Sequence, residues 1–222
     1  MQKKTEKENK SEIFEEVTKR IQDKEHKEIL RNFFIISGFI FLLVISFIFV
    51  GNFKSSFDYK GVKFQIVDEI APYRTSVLVT TEDSITGAVV TGVPYYFYMR
   101  NSPNDLEKVE FKEDLELRNN LLIKSDEDFT CDGYGTIGII NLANLYNKIG
   151  ISVVRDESAN CDNSGRYMLL EIESGETTEI EKIGSACYVM RINNCEILPA
   201  TEKFMVETLI EYNRIKSQSE QA

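Results

Sequence analysis

Apolar and polar positions alternate most clearly after residue 57. Val62, Phe64 and Ile66 alternate with Lys63 and Gln65, the period-two signature of a strand with one buried face. Extended runs follow over Tyr73 to Thr81, Tyr95 to Arg100, Leu106 to Phe111 and Leu115 to Ile123, punctuated by Gly87, Gly92 and the Ser102-Pro103-Asn104 cluster. Strands so spaced predict an antiparallel sheet. The pattern then changes. Leu121 to Lys124 reads as a strand, Thr136 to Ile149 carries apolar residues at 139, 142, 143, 146 and 149 and ends in Gly150, and Ile151 to Val154 is a β-branched run. That order predicts a strand-helix-strand unit with a parallel pair and a crossover helix.

Tyr167 to Ile172 and Tyr188 to Ile192 read as further strands, with Thr178 and Glu181 spaced as a capping box for a turn or two of helix between them. Phe204, Val206, Thr208, Ile210 and Tyr212 alternate with Met205, Glu207, Leu209 and Glu211, which predicts a strand. The alternative there is a helix after Pro199, because Glu, Lys, Met and Leu favour helices. The expected fold class is α+β: an antiparallel sheet, then a strand-helix-strand unit and further strands, behind one N-terminal transmembrane helix.

That helix rests on Phe33 to Val50, an uncharged apolar run that would extend about 27 Å at about 1.5 Å per residue. Highly charged residues precede it, unlike a cleaved signal peptide. Lys19, Arg20, Lys24, Lys27 and Arg31 stand before the run, against Lys54, Lys60 and Lys63 after it, which orients the N-terminus to the cytoplasm. The expected organisation is a charged cytoplasmic tail (1–31), a signal anchor (32–52), a linker (53–57), an extracytoplasmic α+β domain (58–214) and a disordered tail (215–222). An apolar stripe in the first segment, Ile13, Phe14, Val17, Ile21, Ile29 and Leu30, is broken by charge over 22–28 and reads as a solvated juxtamembrane helix rather than a docking one.

Composition supports one ordinary domain with a core, at 42% hydrophobic residues with 12 Gly and 4 Pro. With 26 basic and 36 acidic residues the net charge is −10, which argues against a general phosphate-binding surface and so against nucleic acid as a partner. Cys131, Cys161, Cys187 and Cys195 all follow the apolar run, as expected for disulfides formed in an oxidising space. Four cysteines allow three pairings. Joining neighbouring segments, Cys131 with Cys161 and Cys187 with Cys195, is the guess made from sequence.

Gly133-Tyr134-Gly135-Thr136-Ile137-Gly138 matches the dinucleotide fingerprint and is followed by Asp156. Asp126, Glu127, Asp128 and Asp132 beside it are electrostatically wrong for a pyrophosphate, so a glycine-rich helix entry positioned by Cys131 is preferred, and no cofactor is expected. The same carboxylates make Asp126, Asp128 and Asp132 candidate calcium ligands, with Asp156 or Asp162 facing them, against the alternative of solvated side chains. Tyr95-Tyr96-Phe97-Tyr98 is the densest aromatic cluster. The preferred reading is a central strand buried on both faces; the functional one makes Tyr96 and Tyr98 a binding surface for a glycan or a protein.

No histidine occurs after His26, so Ser-His-Asp, Cys-His and His-based zinc chemistry are unavailable, and no C-x-x-C is present. A carboxylate pair remains, with too many candidates to nominate one; no catalytic residue is assigned. The segments Asp128-Phe-Thr-Cys-Asp-Gly133, Gly165-Arg-Tyr-Met-Leu-Leu170 and Asn194 to Phe204, behind an N-terminal anchor, resemble a group of small archaeal membrane-anchored proteins with no assigned activity. The resemblance implies a cell-surface location and carries over no site residue. The expected role is a membrane-anchored extracytoplasmic binding or assembly module, an accessory subunit of a membrane or envelope complex with a protein partner. The alternatives are a surface hydrolase using carboxylates or a metal, and a ligand-sensing ectodomain.

Overall fold

A computed structural model describes residues 32–47, 56–82, 86–125 and 129–219, and the chain divides into two units, Met1–Lys54 and Ser55–Ala222. In the first, residues 32–47 form helix α1, with every side chain exposed. Its described length reaches about 24 Å, less than a hydrocarbon core of about 30 Å. Among the described residues no helix is long and apolar enough to cross a membrane. The tail over 1–31 and the end of the expected anchor, 48–52, lie outside the described residues.

In the second unit, Ser56–Tyr59 (β1), Val62–Ile66 (β2), Tyr73–Glu82 (β3) and Val89–Met99 (β4) form a four-stranded antiparallel sheet in that order. The alternation dictates its inner face: Phe57 pairs with Phe64 and stacks on it at 5.5 Å, while Thr75 pairs with Phe97 and Val77 with Tyr95. β1 takes in Ser56 and Phe57, which the expected linker had claimed, because Phe57 has an apolar partner across the hairpin.

Glu110–Lys112 (β5), Asn120–Ser125 (β6), Ser152–Arg155 (β7), Met168–Ser174 (β8), Glu179–Gly184 (β9) and Cys187–Ile192 (β10) form a six-stranded sheet in the order β5-β9-β10-β8-β6-β7. β10, β8, β6 and β7 are parallel, β9 runs antiparallel to β10, and β5 is parallel to β9. The strand-helix-strand unit is present: helix α2 (Tyr134–Lys148) carries the chain from β6 to the parallel β7. On one face of this sheet, charged residues meet across strands. Arg191 on β10 pairs with Glu173 on β8 and with Glu179 and Glu181 on β9, and Lys112 on β5 pairs with Glu179. The other face carries Leu121, Met168, Leu170, Ile180, Tyr188 and Met190 into the core.

Three stretches differ from expectation. Leu106 to Phe111 is a short 3₁₀ helix, Asp105–Lys108, followed by the three-residue β5. Thr178 and Glu181 cap no helix, because Glu179–Gly184 is β9, an internal strand with hydrogen-bonded neighbours on both sides. The expected strand over 204–212 lies inside helix α3, Ile197–Ser219, which also runs into the stretch expected to be a disordered tail. The period-two alternation there is incidental: Ile197, Leu198, every residue from Ala200 to Val206, Thr208 and Leu209 are buried, so the first turns of the helix are enclosed on nearly every side. α3 packs on α2, on β2 of the first sheet and on β9 and β10 of the second, so both sheets share one core. Burial of so wide a face in one helix outweighs the strand propensity of its β-branched residues.

The disulfides are Cys131–Cys195 and Cys161–Cys187, with no free cysteine. Neither pair is the one guessed. Cys131 precedes α2 and Cys195 precedes α3, and the packing of these helices brings their entries together. Cys161 lies in the connection from β7 to β8, where it packs with Leu122, Leu169 and Cys187 in a small cluster of its own. Sequence neighbours were the wrong guide because β10 is parallel to β8, which aligns Cys187 with Leu169. Two disulfides fit a domain that matures in an oxidising compartment.

Candidate functional site

β4 is rich in β-branched and aromatic residues, yet among the described residues it is an edge strand, hydrogen-bonded to β3 alone. This corrects the expectation of a central strand buried on both faces. Alternation sends Tyr95 and Phe97 inward, where their rings lie 5.0 Å apart and Phe97 is only 4% exposed. Tyr96 and Tyr98 point the other way. Tyr96 is 44% exposed and Tyr98 is half-buried.

A cleft of about 550 Å³ runs between this edge and α2. Its helical wall is Ile137, Asn141 and Asn144, one stripe at i, i+4 and i+7, and Leu198 of α3 reaches it from below. The loop after β2 contributes Glu69 and the highly exposed Ile70. Cations sit on the aromatic rings around it: Arg74 over Tyr96 at 4.6 Å, Lys148 over Tyr95 at 4.6 Å and Arg100 over Tyr134 at 5.1 Å. At the end of β4 the cleft is closed by Glu202 of α3, which is 2% exposed. Its carboxylate accepts the N–H of Arg100 at 2.7 Å, the N–H of Asn101 at 3.0 Å and the side-chain amide of Asn101 at 2.8 Å. Burial raises this carboxyl above its ordinary value, and those three donors oppose the shift. No signal in the sequence marked Glu202, because its role depends on where β4 ends relative to α3.

The glycine fingerprint has an internal explanation. Gly133 takes a left-handed φ of 89° at the entry to α2. A Cβ on Gly135 would lie 1.6 Å from the Phe129 carbonyl oxygen, and one on Gly138 2.4 Å from Thr201 Oγ1. Close packing therefore requires glycine at both positions, and the left-handed Gly133 is the helix entry that the sequence suggested. A second cleft, of about 630 Å³, opens at the C-terminal ends of β6, β7 and β8 beside the first turn of α2, lined among others by Ser125, Thr130, Thr136, Arg155 and Ile172. It lies where open α/β sheets receive ligands. Arg155 there donates to Glu157 at 2.6 Å.

Of the calcium candidates, Asp126 and Asp128 lie outside the described residues, and Asp132 adopts a left-handed φ of 55° before α2. Asp156 accepts the N–H and hydroxyl of Ser158, and Asp162 accepts the N–H of Ser164 and both the N–H and Nε of Arg166. Among the described residues no group of three or more His, Cys, Asp and Glu is placed to hold a metal ion. Glu116, Glu171, Glu173, Glu179 and Glu181 are all paired with Lys or Arg. Glu202 is the one described carboxyl whose value is raised, and its oxygens are engaged by backbone and amide donors rather than facing another acid. The described residues thus offer an open cleft with an exposed aromatic edge. Compared with known proteins, the chain matches no family model, no curated protein and no solved structure.

Proposed function

We propose that this chain is a membrane-anchored extracytoplasmic binding or assembly module that serves as an accessory subunit of a membrane or envelope complex and acts by contact rather than catalysis. The observation that carries the reading is the unpaired edge of β4 beside a cleft with exposed Tyr96 and flanking cations. Aromatic residues and arginine at an open, concave edge supply contact area and orientation, the features of an interface centre. The anchor is supported by the uncharged run from Phe33 to Val50 and by the exposed apolar side chains of α1. The two disulfides and the cation excess before that run support an N-terminus inside and a C-terminal domain outside. The resemblance to archaeal anchored proteins agrees.

Native mass spectrometry of the full-length protein, purified in mild detergent from its own membranes, tests this reading. A stoichiometric protein partner that is lost on Tyr96→Ala is the expected result. A lone protein carrying a metal or a small molecule would replace the reading with the hydrolase or the sensor. The second cleft, at the ends of β6, β7 and β8, is what favours a sensor.

A further inference from the structure

We infer that the edge of β4 accepts an extended, acidic segment of a partner protein as an added strand, seated along the free side of β4 with α2 flanking it; this rests on the reading of the chain as a binding module. β4 is 11 residues long, whereas the other sheet edges, β1, β5 and β7, have four, three and four. It is the one long edge among the described strands. The direction of its free groups follows from its end. The Arg100 N–H goes to Glu202 and not to β3, and alternate amides of a strand point the same way. The N–H and C=O groups of Tyr98 and Tyr96 therefore face the unpaired side. Pro94 continues this series, and a proline within a sheet sits where its missing N–H would have faced outward.

Glu202 takes the place that a partner carbonyl would occupy at Arg100, so the added strand is confined to Pro94 through Tyr98. The opposite wall, Ile137, Asn141 and Asn144, supplies one apolar contact and two amides able to meet the far side of such a strand. A groove bounded by a free strand edge and a helix gives affinity through main-chain bonds and selectivity through alternate side chains.

Charge decides the occupant. Arg74, Arg100 and Lys148 lie on rings at the groove and make no ion pair among the described residues. Against them stand Glu69 and Glu202, the latter already bonded to three N–H groups. Arg74 also donates to Gln65, and Arg100 lies in the field of Glu202, yet none of the three forms a salt bridge among the described residues, and in a chain of net charge −10 cations gathered along one edge favour an acidic strand. They disfavour a second copy, whose own cations would meet them edge to edge.

The test uses full-length protein in detergent micelles and a fluorescein-labelled peptide of alternating valine and glutamate, compared with its valine-lysine counterpart. The acidic probe should bind and the basic one should not, and binding should slow hydrogen exchange at the Tyr96 and Tyr98 amides. Tyr96→Pro removes the ring and one outward N–H without touching the β3 ladder, so it should weaken binding about tenfold beyond Tyr96→Ala, which loses the ring but keeps the N–H, while Tyr96→Phe retains binding. Should Tyr96→Pro melt the domain, the acidic probe N-methylated at alternate residues leaves the protein untouched and must lose binding. Equal binding of both probes, protection away from β4, or a concentration-dependent dimer that protects the same amides would each overturn the inference. A stoichiometric membrane partner whose exchange footprint lies off β4 would sink the inference and leave the binding-module reading standing. Protein that carries no partner and takes up neither probe would sink both.

Discussion

Gly138 of α2 and Thr201 of α3 meet so closely that a methyl group on Gly138 would lie 2.4 Å from Thr201 Oγ1. The hydroxyl has no freedom to retreat, because it is buried and hydrogen-bonded to the carbonyls of Ile197 and Leu198. Gly138→Ala should therefore destabilise the domain by about 1–3 kcal/mol, in the range for overpacking. Thr201→Ala in the same chain should recover most of the loss. A double-mutant cycle from urea melts checks this, and additive losses would mean that the helices do not touch at this point.

The disulfide Cys131–Cys195 closes a span of 64 residues and Cys161–Cys187 one of 26. On loop entropy alone, losing the first should cost about 4 kcal/mol and the second about 3.5 kcal/mol. Non-reducing peptide mapping should return these two pairs and no others. Recovery of Cys131 linked to Cys161 would contradict the packing of α2 against α3.

The aromatic run on β4 divides by face. Phe97→Ala should cost about 3–5 kcal/mol, as for an emptied core site, whereas Tyr96→Ala should change stability by no more than about 0.5 kcal/mol. Thermal melts of the two variants separate them. Equal losses would mean that Tyr96 is covered in the folded protein.

Glu202 predicts a pH dependence of defined sign. Burial raises its carboxyl above the ordinary 4.5, so the folded state holds the proton more tightly than the unfolded chain. Its contribution to stability is largest at acid pH and falls as pH rises from the ordinary value through the folded one. Glu202→Gln removes this slope, so wild-type stability should fall relative to that of the variant as pH rises across that interval. Urea melts on either side of it, with all other carboxylates common to both proteins, provide the test.

Asp162 behaves oppositely. The Arg166 side chain, followed by the Ser164 N–H, holds its carboxyl down to about 2 against an ordinary 3.8. A lowered folded value contributes stability that is complete above the ordinary value and is lost as pH falls through about 2. The Ser164 and Arg166 amide resonances should keep their positions until pH nears the lower figure. A midpoint close to 3.8 would show that the turn is not formed in solution.

Local pattern was enough where an element is specified by its own residues. The alternation in Val62 to Ile66 and in Tyr73 to Thr81, and the helical spacing from Thr136 to Ile149 followed by Gly150, each marked an element that is present. The uncharged run and the distribution of cysteines were equally plain in the chain. So was the glycine-rich entry to α2, which Gly133 opens with its left-handed φ, whereas the contact of Gly138 with Thr201 was not.

Other features depended on which segments meet. Residues 204–212 satisfy a strand period and a helix period together, and burial against two sheets and α2 selects the helix. Thr178 could cap a helix, but β10 and β5 flank the following residues as partners and make them a strand. Tyr96 and Tyr98 were visible as candidates, yet nothing local distinguishes an edge strand from a central one, because the difference is the absence of a neighbour. Disulfide pairing and the placement of Glu202 are decided in the same way. Both join residues far apart in the chain, and only the docking of α3 brings those residues together.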